Sequence, residues 1–177
     1  SMMKTGQICG DYYYAWHKGI LTAYTNLARP DAHKRKHYSK WGKQYLSVVE
    51  EMFGKSPAWE LIEDVDQKRF PAWQSANALY MFTHAFDETS PVCRMDNGSP
   101  IPAYLLPISD EKREEIYSWK EEYRGHDRIW LGSGKLEMPA YKQLADPRSE
   151  LASYGRGLCR LIEENTGKKT YYFLFRY

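Results

Sequence analysis

The chain has 177 residues, enough for one compact domain or two very small ones, and no apolar run approaches the roughly 18 residues that a membrane span needs. At 42% hydrophobic and 27% charged it is too apolar for disorder, so a globular protein is expected. Its 25 Lys plus Arg against 23 Asp plus Glu leave a net charge of +2, too balanced to demand nucleic acid or an acidic membrane as partner.

The chain is 15% aromatic, with 15 Tyr, 6 Trp and 6 Phe, and most of these rings are expected in a core. Three well-separated cysteines, Cys9, Cys93 and Cys159, make no C-x-x-C pair, so no disulfide framework is read and a reducing cytoplasm is the expected location. Ser1-Met2 ahead of Met3 reads as extraneous to the fold, and no charged-then-apolar leader follows it.

Asp11 to Trp16 and Ile20 to Leu27 are aromatic and β-branched runs around His17-Lys18-Gly19, which predicts a β-hairpin. From Ala32 to Phe53 the apolar residues Tyr38, Trp41, Tyr45, Val48 or Val49, and Met52 recur every three or four positions, the period of a helix that buries one stripe, with Gly54 as its C-cap. Trp59 to Val65 alternates apolar and acidic residues and reads as a strand.

Ala76 to Phe86 is apolar without a clean period and is assigned as a strand. Residues 87 to 107 carry Pro91, Gly98, Pro100, Pro102 and Pro107, a density of turn formers that predicts a surface loop around one short strand at Ala103 to Leu106. Ser109 caps a helix opened by Asp110 and Glu111, with Ile116, Trp119 or Lys120, and Tyr123 as its buried stripe and Gly125 as its end.

Arg128 to Leu131 reads as a strand, Met138 to Leu144 as a short helix, and Asp146-Pro147-Arg148-Ser149 as a break that caps the last helix. That helix shows Leu151, Tyr154, Leu158, Leu161 or Ile162, and Asn165 on one face and Gly167 as its C-cap. Tyr171 to Tyr177 is apolar on both sides and is expected as a central strand. The expected architecture is one α+β domain over residues 1 to 177, a mixed or antiparallel sheet of about six strands covered by three main helices.

The strongest charge signal is His33-Lys34-Arg35-Lys36-His37 with Lys40 and Lys43, placed on the first three turns of the first predicted helix. Cations at a helix N-terminus oppose its positive end, whereas an anion bound there is favoured by dipole and side chains together. Lys34, Arg35, Lys36, Lys40 and Lys43 are therefore candidate phosphate contacts, set against the plainer reading of a solvated face balanced by Asp31 and Glu50 or Glu51. His33 and His37 stand at the i, i+4 spacing that two metal-binding imidazoles need on a helix, without a third ligand indicated. His84 and Asp87 form a candidate acid/base pair, against the reading of a core histidine bonded to a carbonyl. No nucleophile elbow or phosphate loop is present, and Gly132-Ser133-Gly134-Lys135 reads as a turn.

Ser90-Pro91-Val92-Cys93, Pro100 to Pro107, Gln143-Leu144 through Ser149, Gly155, Cys159, Ile162-Glu163 and the closing GKKTYYFLFRY together resemble a bacterial family of unknown function, domain of unknown function 2310, described as zinc-ribbon-containing and nucleic-acid-binding. The resemblance implies a C-x-x-C pair after the Ser-Pro segment and a second ligand pair near Gly125-His126-Asp127 and Ser133. Cys93 keeps the first position, Asp96 stands at the second, and His126 is the one donor downstream. Cys93, Asp96 and His126 are thus the remaining zinc candidates, but a fourth ligand is missing and the expectation is a metal-free loop held by packing.

The leading functional expectation is a non-enzymatic, cytoplasmic nucleic-acid-binding or adaptor module acting through the five basic residues. A protein-binding module of immunity or antitoxin type, which occludes a partner protein, is the alternative, since aromatics carry much of the hot-spot energy of interfaces. A hydrolase or transferase using His84, Asp87 or His126 comes third and requires those side chains to converge.

Overall fold

The structure is a computed structural model and describes residues 2–62 and 72–175. In chain order the regular elements are β1 (Ile8–His17), β2 (Ile20–Leu27), α1 (Lys40–Phe53), β3 (Leu79–Met81), β4 (Val92–Arg94), α2 (Asp110–Gly132), α3 (Glu137–Ala145), α4 (Glu150–Thr166) and β5 (Thr170–Tyr172). The class is α+β as expected. Among the described residues the expected sheet of about six strands is instead two small sheets, β1-β2 and β4-β3-β5, while α1, α2 and α4 are the three expected main helices and α3 the expected short one.

β1 and β2 pair antiparallel from Tyr12↔Thr25 to His17↔Ile20 around a two-residue turn. Lys18 and Gly19 both take positive φ there, 47° and 76°, the combination that matches the twist of the flanking strands. The base of the hairpin is fixed by polar contacts: Gln7 Nε2 donates to the Ala32 carbonyl at 2.7 Å, and Thr5 Oγ1 donates to Gln7 Oε1 at 2.8 Å. Met2 accepts the Gln7 amide at 2.9 Å, so it joins this turn rather than lying outside the fold.

The first helix begins eight residues later than its periodicity predicts. Arg35–His37 form a single 3₁₀ turn, and α1 starts at Lys40, capped by Ser39 Oγ, which accepts the Gly42 amide at 3.1 Å. Lys34, Arg35 and Lys36 therefore precede α1, and Lys40 and Lys43 alone of the five lie in it. Gly54 closes the helix in the left-handed conformation, as expected. Its apolar stripe is exposed rather than buried: Tyr45, Val48 and Met52 face solvent, and Gly42 is its one buried residue. Residues 59–62 form no strand, and 63–65 of that expected strand lie outside the described residues.

The main core lies in the other half of the chain. α2 and α4 pack their stripes on each other and on β3, joining Ile116, Trp119, Tyr123, Leu151, Leu158 and Ile162 to Leu79 and Met81. Trp119 is fully buried and its indole donates to the Leu151 carbonyl at 3.2 Å. Ser109 and Ser149 cap α2 and α4, and Gly167 ends α4 with φ 67°.

Several expectations fail in this half. α2 runs through Gly125 to Gly132 and absorbs the strand expected at Arg128 to Leu131. A helical glycine costs only about 1 kcal/mol, and burial of Tyr123 and Asp127 on either side outweighs that. The proline-rich 87–107 segment is not a surface excursion: Val92, Ile101, Ala103 and Leu106 are all core, and Ala103–Leu105 is a 3₁₀ turn rather than a strand. Proline presets extended backbone that can line a core without a ladder, and β4 supplies the one short strand here. β5 is an edge strand, paired parallel to β3 through Tyr80↔Tyr171, not a central one, and the 176–177 end of its expected range lies outside the described residues. β3 itself keeps three residues of the strand expected over Ala76 to Phe86.

Candidate functional site

The basic residues are largely neutralised by the chain itself. Arg35 pairs with Glu50 and also reaches Ser56 Oγ at 3.2 Å, and Lys36 Nζ lies 3.4 Å from Asp31. Lys40 pairs with Glu111 through its ammonium, while its backbone N–H donates to Asp110 Oδ2 at 2.9 Å. The anion expected at the N-terminus of α1 is therefore supplied by the first turn of α2. Among the described residues, Lys34 and Lys43 are the two of the five without an ion pair, and Lys34 shares a cavity of about 250 Å³ with Arg29, Pro30 and Asp31. Burial pushes the Asp31 carboxyl up, but His37 and Lys36 together outweigh it and hold it below the ordinary range.

The two histidines at the i, i+4 spacing do not share a helix face, because residues 33–37 are not α-helical. His37 Nε2 lies 3.0 Å from Asp31, and the His33 ring packs on Trp59 with centroids 5.5 Å apart. Cys93, Asp96 and His126 are not brought together either. The Cys93 thiol is buried and donates to the Ser90 carbonyl at 3.8 Å, with burial pushing it up to about 12. Asp96 is bound by the Arg94 guanidinium, whose Nε donates to it at 2.8 Å. His126 sits on α2. Among the described residues, no three His, Cys, Asp or Glu side chains stand close enough to hold a metal ion.

His84 and Asp87 are engaged separately. His84 is exposed and its Nδ1 accepts the Phe86 amide at 3.3 Å, while Asp87 closes a local turn by accepting the Thr89 amide and hydroxyl, each at 2.8 Å. The carboxylate that holds this turn on α2 is Asp127, which accepts the Ala85 amide at 2.6 Å.

What the structure presents instead is an aromatic surface. Tyr13, Tyr14 and Trp16 of β1 are 74, 71 and 62% exposed, and Tyr12, Ile20, Leu21 and Tyr24 are open beside them. Alternation puts Tyr12, Tyr14 and Trp16 on one face and Tyr13 and Tyr24 on the other, and these rings are exposed on both, so among the described residues neither face of the ribbon is covered. Trp16 meets Phe53 at the end of α1, 6.1 Å between ring centroids, which makes the hairpin continuous with the exposed stripe of Tyr45, Val48 and Met52. Periodicity marks both places as apolar faces without showing what lies against them. Among the described residues, no helix is long and apolar enough to cross a membrane.

Comparison with known proteins separates these two halves. A family model described as a domain of unknown function, DUF2310, matches residues 71–175, which span the main core and leave the hairpin and α1 outside. Two uncharacterised proteins of Haemophilus influenzae are each 31% identical over 107 residues, 60% of this chain. That stretch makes up 50% of one and 39% of the other, so the chain spans half or less of the curated relatives it matches. No solved structure matches it. Because the family model covers more than half of the chain and coincides with its packed core, the chain belongs to the DUF2310 family.

Proposed function

We propose that the protein is a protein-binding module of the immunity or antitoxin type, which occludes a partner by laying the β1-β2 hairpin and the α1 stripe against it. The observation that carries this reading is the exposed aromatic hairpin, Tyr12, Tyr13, Tyr14, Trp16 and Tyr24 over its two faces, joined through Trp16 and Phe53 to the exposed Tyr45, Val48 and Met52 of α1. A two-stranded hairpin alone is marginal in water, and patches of this kind beyond a few hundred Å² mark interaction sites in soluble proteins. Tyrosine and tryptophan are also the side chains that most often dominate interface energy.

The nucleic-acid-binding reading through Lys34, Arg35, Lys36, Lys40 and Lys43 draws less support, since three of those cations already face carboxylates. A pull-down from cells with the wild-type chain and with Tyr13→Ser/Trp16→Ser tests the two readings together. The expected result is a stoichiometric protein lost with the double variant and retained when Lys34 and Lys43 become Ala. Binding of DNA or RNA that weakens steeply with salt, at a log-log slope of about 0.7 to 0.9 per phosphate, and is lost with the lysines would reverse the choice.

A further inference from the structure

We infer that β1 pairs with β1 of a second copy of this chain, in antiparallel register about Tyr14; the inference rests on the exposed hairpin that carries the protein-binding reading and leaves the hairpin faces and the α1 stripe to the partner protein. Three observations carry it. From Tyr12 to Trp16 no strand lies along the outer edge of β1 among the described residues, and this stretch holds no charge and no proline, devices by which exposed edge strands ordinarily avoid pairing. An edge of this kind pairs with a strand when one is offered.

The second observation is charge. β2 has no charged residue from Ile20 to Leu27, so it has no electrostatic means of choosing a register. β1 does: an antiparallel pair centred on Tyr14 sets Tyr12 opposite Trp16 and brings Asp11, at the bulge that precedes Tyr12, to the end where His17 and Lys18 of the other copy stand. The arrangement is self-complementary, as a two-fold interface requires, and it places opposite charges at both ends with only apolar and aromatic residues between.

The third is area. Tyr12, Tyr13, Tyr14, Trp16 and Tyr24 are between 51 and 74% exposed. Edge-to-edge pairing sets Tyr12, Tyr14 and Trp16 beside the same rings of the other copy on one face and Tyr13 beside Ala15 on the other, so part of this exposed aromatic area is covered. The product is a four-stranded sheet in the order β2-β1-β1-β2, which relieves the weakness of an isolated hairpin.

Sedimentation equilibrium of the full chain, from low to high micromolar concentration, reads the assembly directly, with dimers at twice 20.8 kDa expected. Asp11→Lys should weaken dimerisation at least tenfold and Asp11→Lys/His17→Asp should restore it. Tyr14→Cys should form a reducible disulfide between copies under mild oxidation, since directly opposed residues in an antiparallel pair have Cα atoms about 4.5 to 5.5 Å apart. Tyr13→Cys, opposed to Ala15, should not. Far-UV circular dichroism checks that each variant is folded.

A monomer at every concentration overturns the inference, and so does a dimer indifferent to Asp11→Lys and not cross-linked through residue 14. If such a monomer still captures another protein through Tyr13 and Trp16, the dimer fails and the protein-binding reading stands. If it captures none, both fail.

Discussion

The backbone N–H of Lys40 donates to the Asp110 carboxylate at 2.9 Å, joining the first turns of α1 and α2 across 70 residues of sequence. Asp110 and Glu111 thereby serve two helix N-termini at once, opening α2 and facing α1. Lys40 holds the Glu111 carboxyl at about 2, with the Glu111 amide and Ser109 hydroxyl adding to the effect. A phosphate approaching α1 would have to displace carboxylates already in place.

Asp110→Ala should therefore destabilise the protein by about 1–2 kcal/mol, because it removes a charged acceptor from the Lys40 amide and the ion pair with Arg113 together. Lys40→Ala should cost under about 1 kcal/mol, as befits an exposed ion pair. Urea unfolding midpoints of the two variants measure the difference, and equal losses would show that the amide contact contributes nothing of its own.

Gly155 is where α4 lies closest to its neighbours. A Cβ there would fall 2.2 Å from the Tyr172 ring and 2.9 Å from the Trp119 indole nitrogen. Gly155→Ala should cost about 1–3 kcal/mol through overpacking. Thermal unfolding should record a drop of roughly 2–4 °C per kcal/mol in a chain of this size. Adding Tyr172→Ala should recover part of the loss if the clash with that ring is its cause.

Stability should fall in alkaline solution. Burial pushes the Cys93 and Cys159 thiols up from 9 to about 12, and the Tyr172 hydroxyl from 10 to about 12. These groups stay protonated in the folded chain while the unfolded chain releases protons, so their contribution is complete below pH 9 and is lost between 9 and 12. Lys120, lowered by burial, works in the opposite sense below 10.5 but is one group against three. Urea midpoints measured from pH 8 to 11 should decline above 9, and Cys159→Ala should make the decline shallower. A flat profile would contradict the burial of these groups.

Arg94 spans β4 and the 72–75 segment, donating to the Ala72 carbonyl at 3.0 Å and to Ser75 Oγ at 2.7 Å while forking onto Asp96. Lysine carries the charge but cannot make these contacts together. Arg94→Lys should cost about 1–3 kcal/mol in chemical unfolding. The same Asp96 stands where the family resemblance implies a second ribbon cysteine, so the loop here is fastened by an ion pair of the protein's own. Addition of zinc is expected to leave the unfolding midpoint unchanged.

Elements whose signals are local were legible in the residues. Lys18-Gly19 turns the hairpin, Ser109 and Ser149 begin helices, and Gly54 and Gly167 end them. Each of these depends on a hydrogen bond or backbone angle within a few residues. The proposed sites fared differently. His33 and His37 depended on a helix that does not extend to them, and Cys93, Asp96 and His126 on a convergence that tertiary packing does not produce.

The amino-acid order alone determined the α+β class, the apolar stripes of α2 and α4, and the caps that bound them, because those follow from periodicity and short-range bonding. Tertiary structure decided which stripe is covered and which cation is free. Periodicity marks a face as apolar without saying what lies against it, so the stripe of α1 reads like that of α4 until only the latter is found buried. The partner of Lys40 lies 70 residues downstream, and only the folded chain brings that carboxylate to the amide it binds.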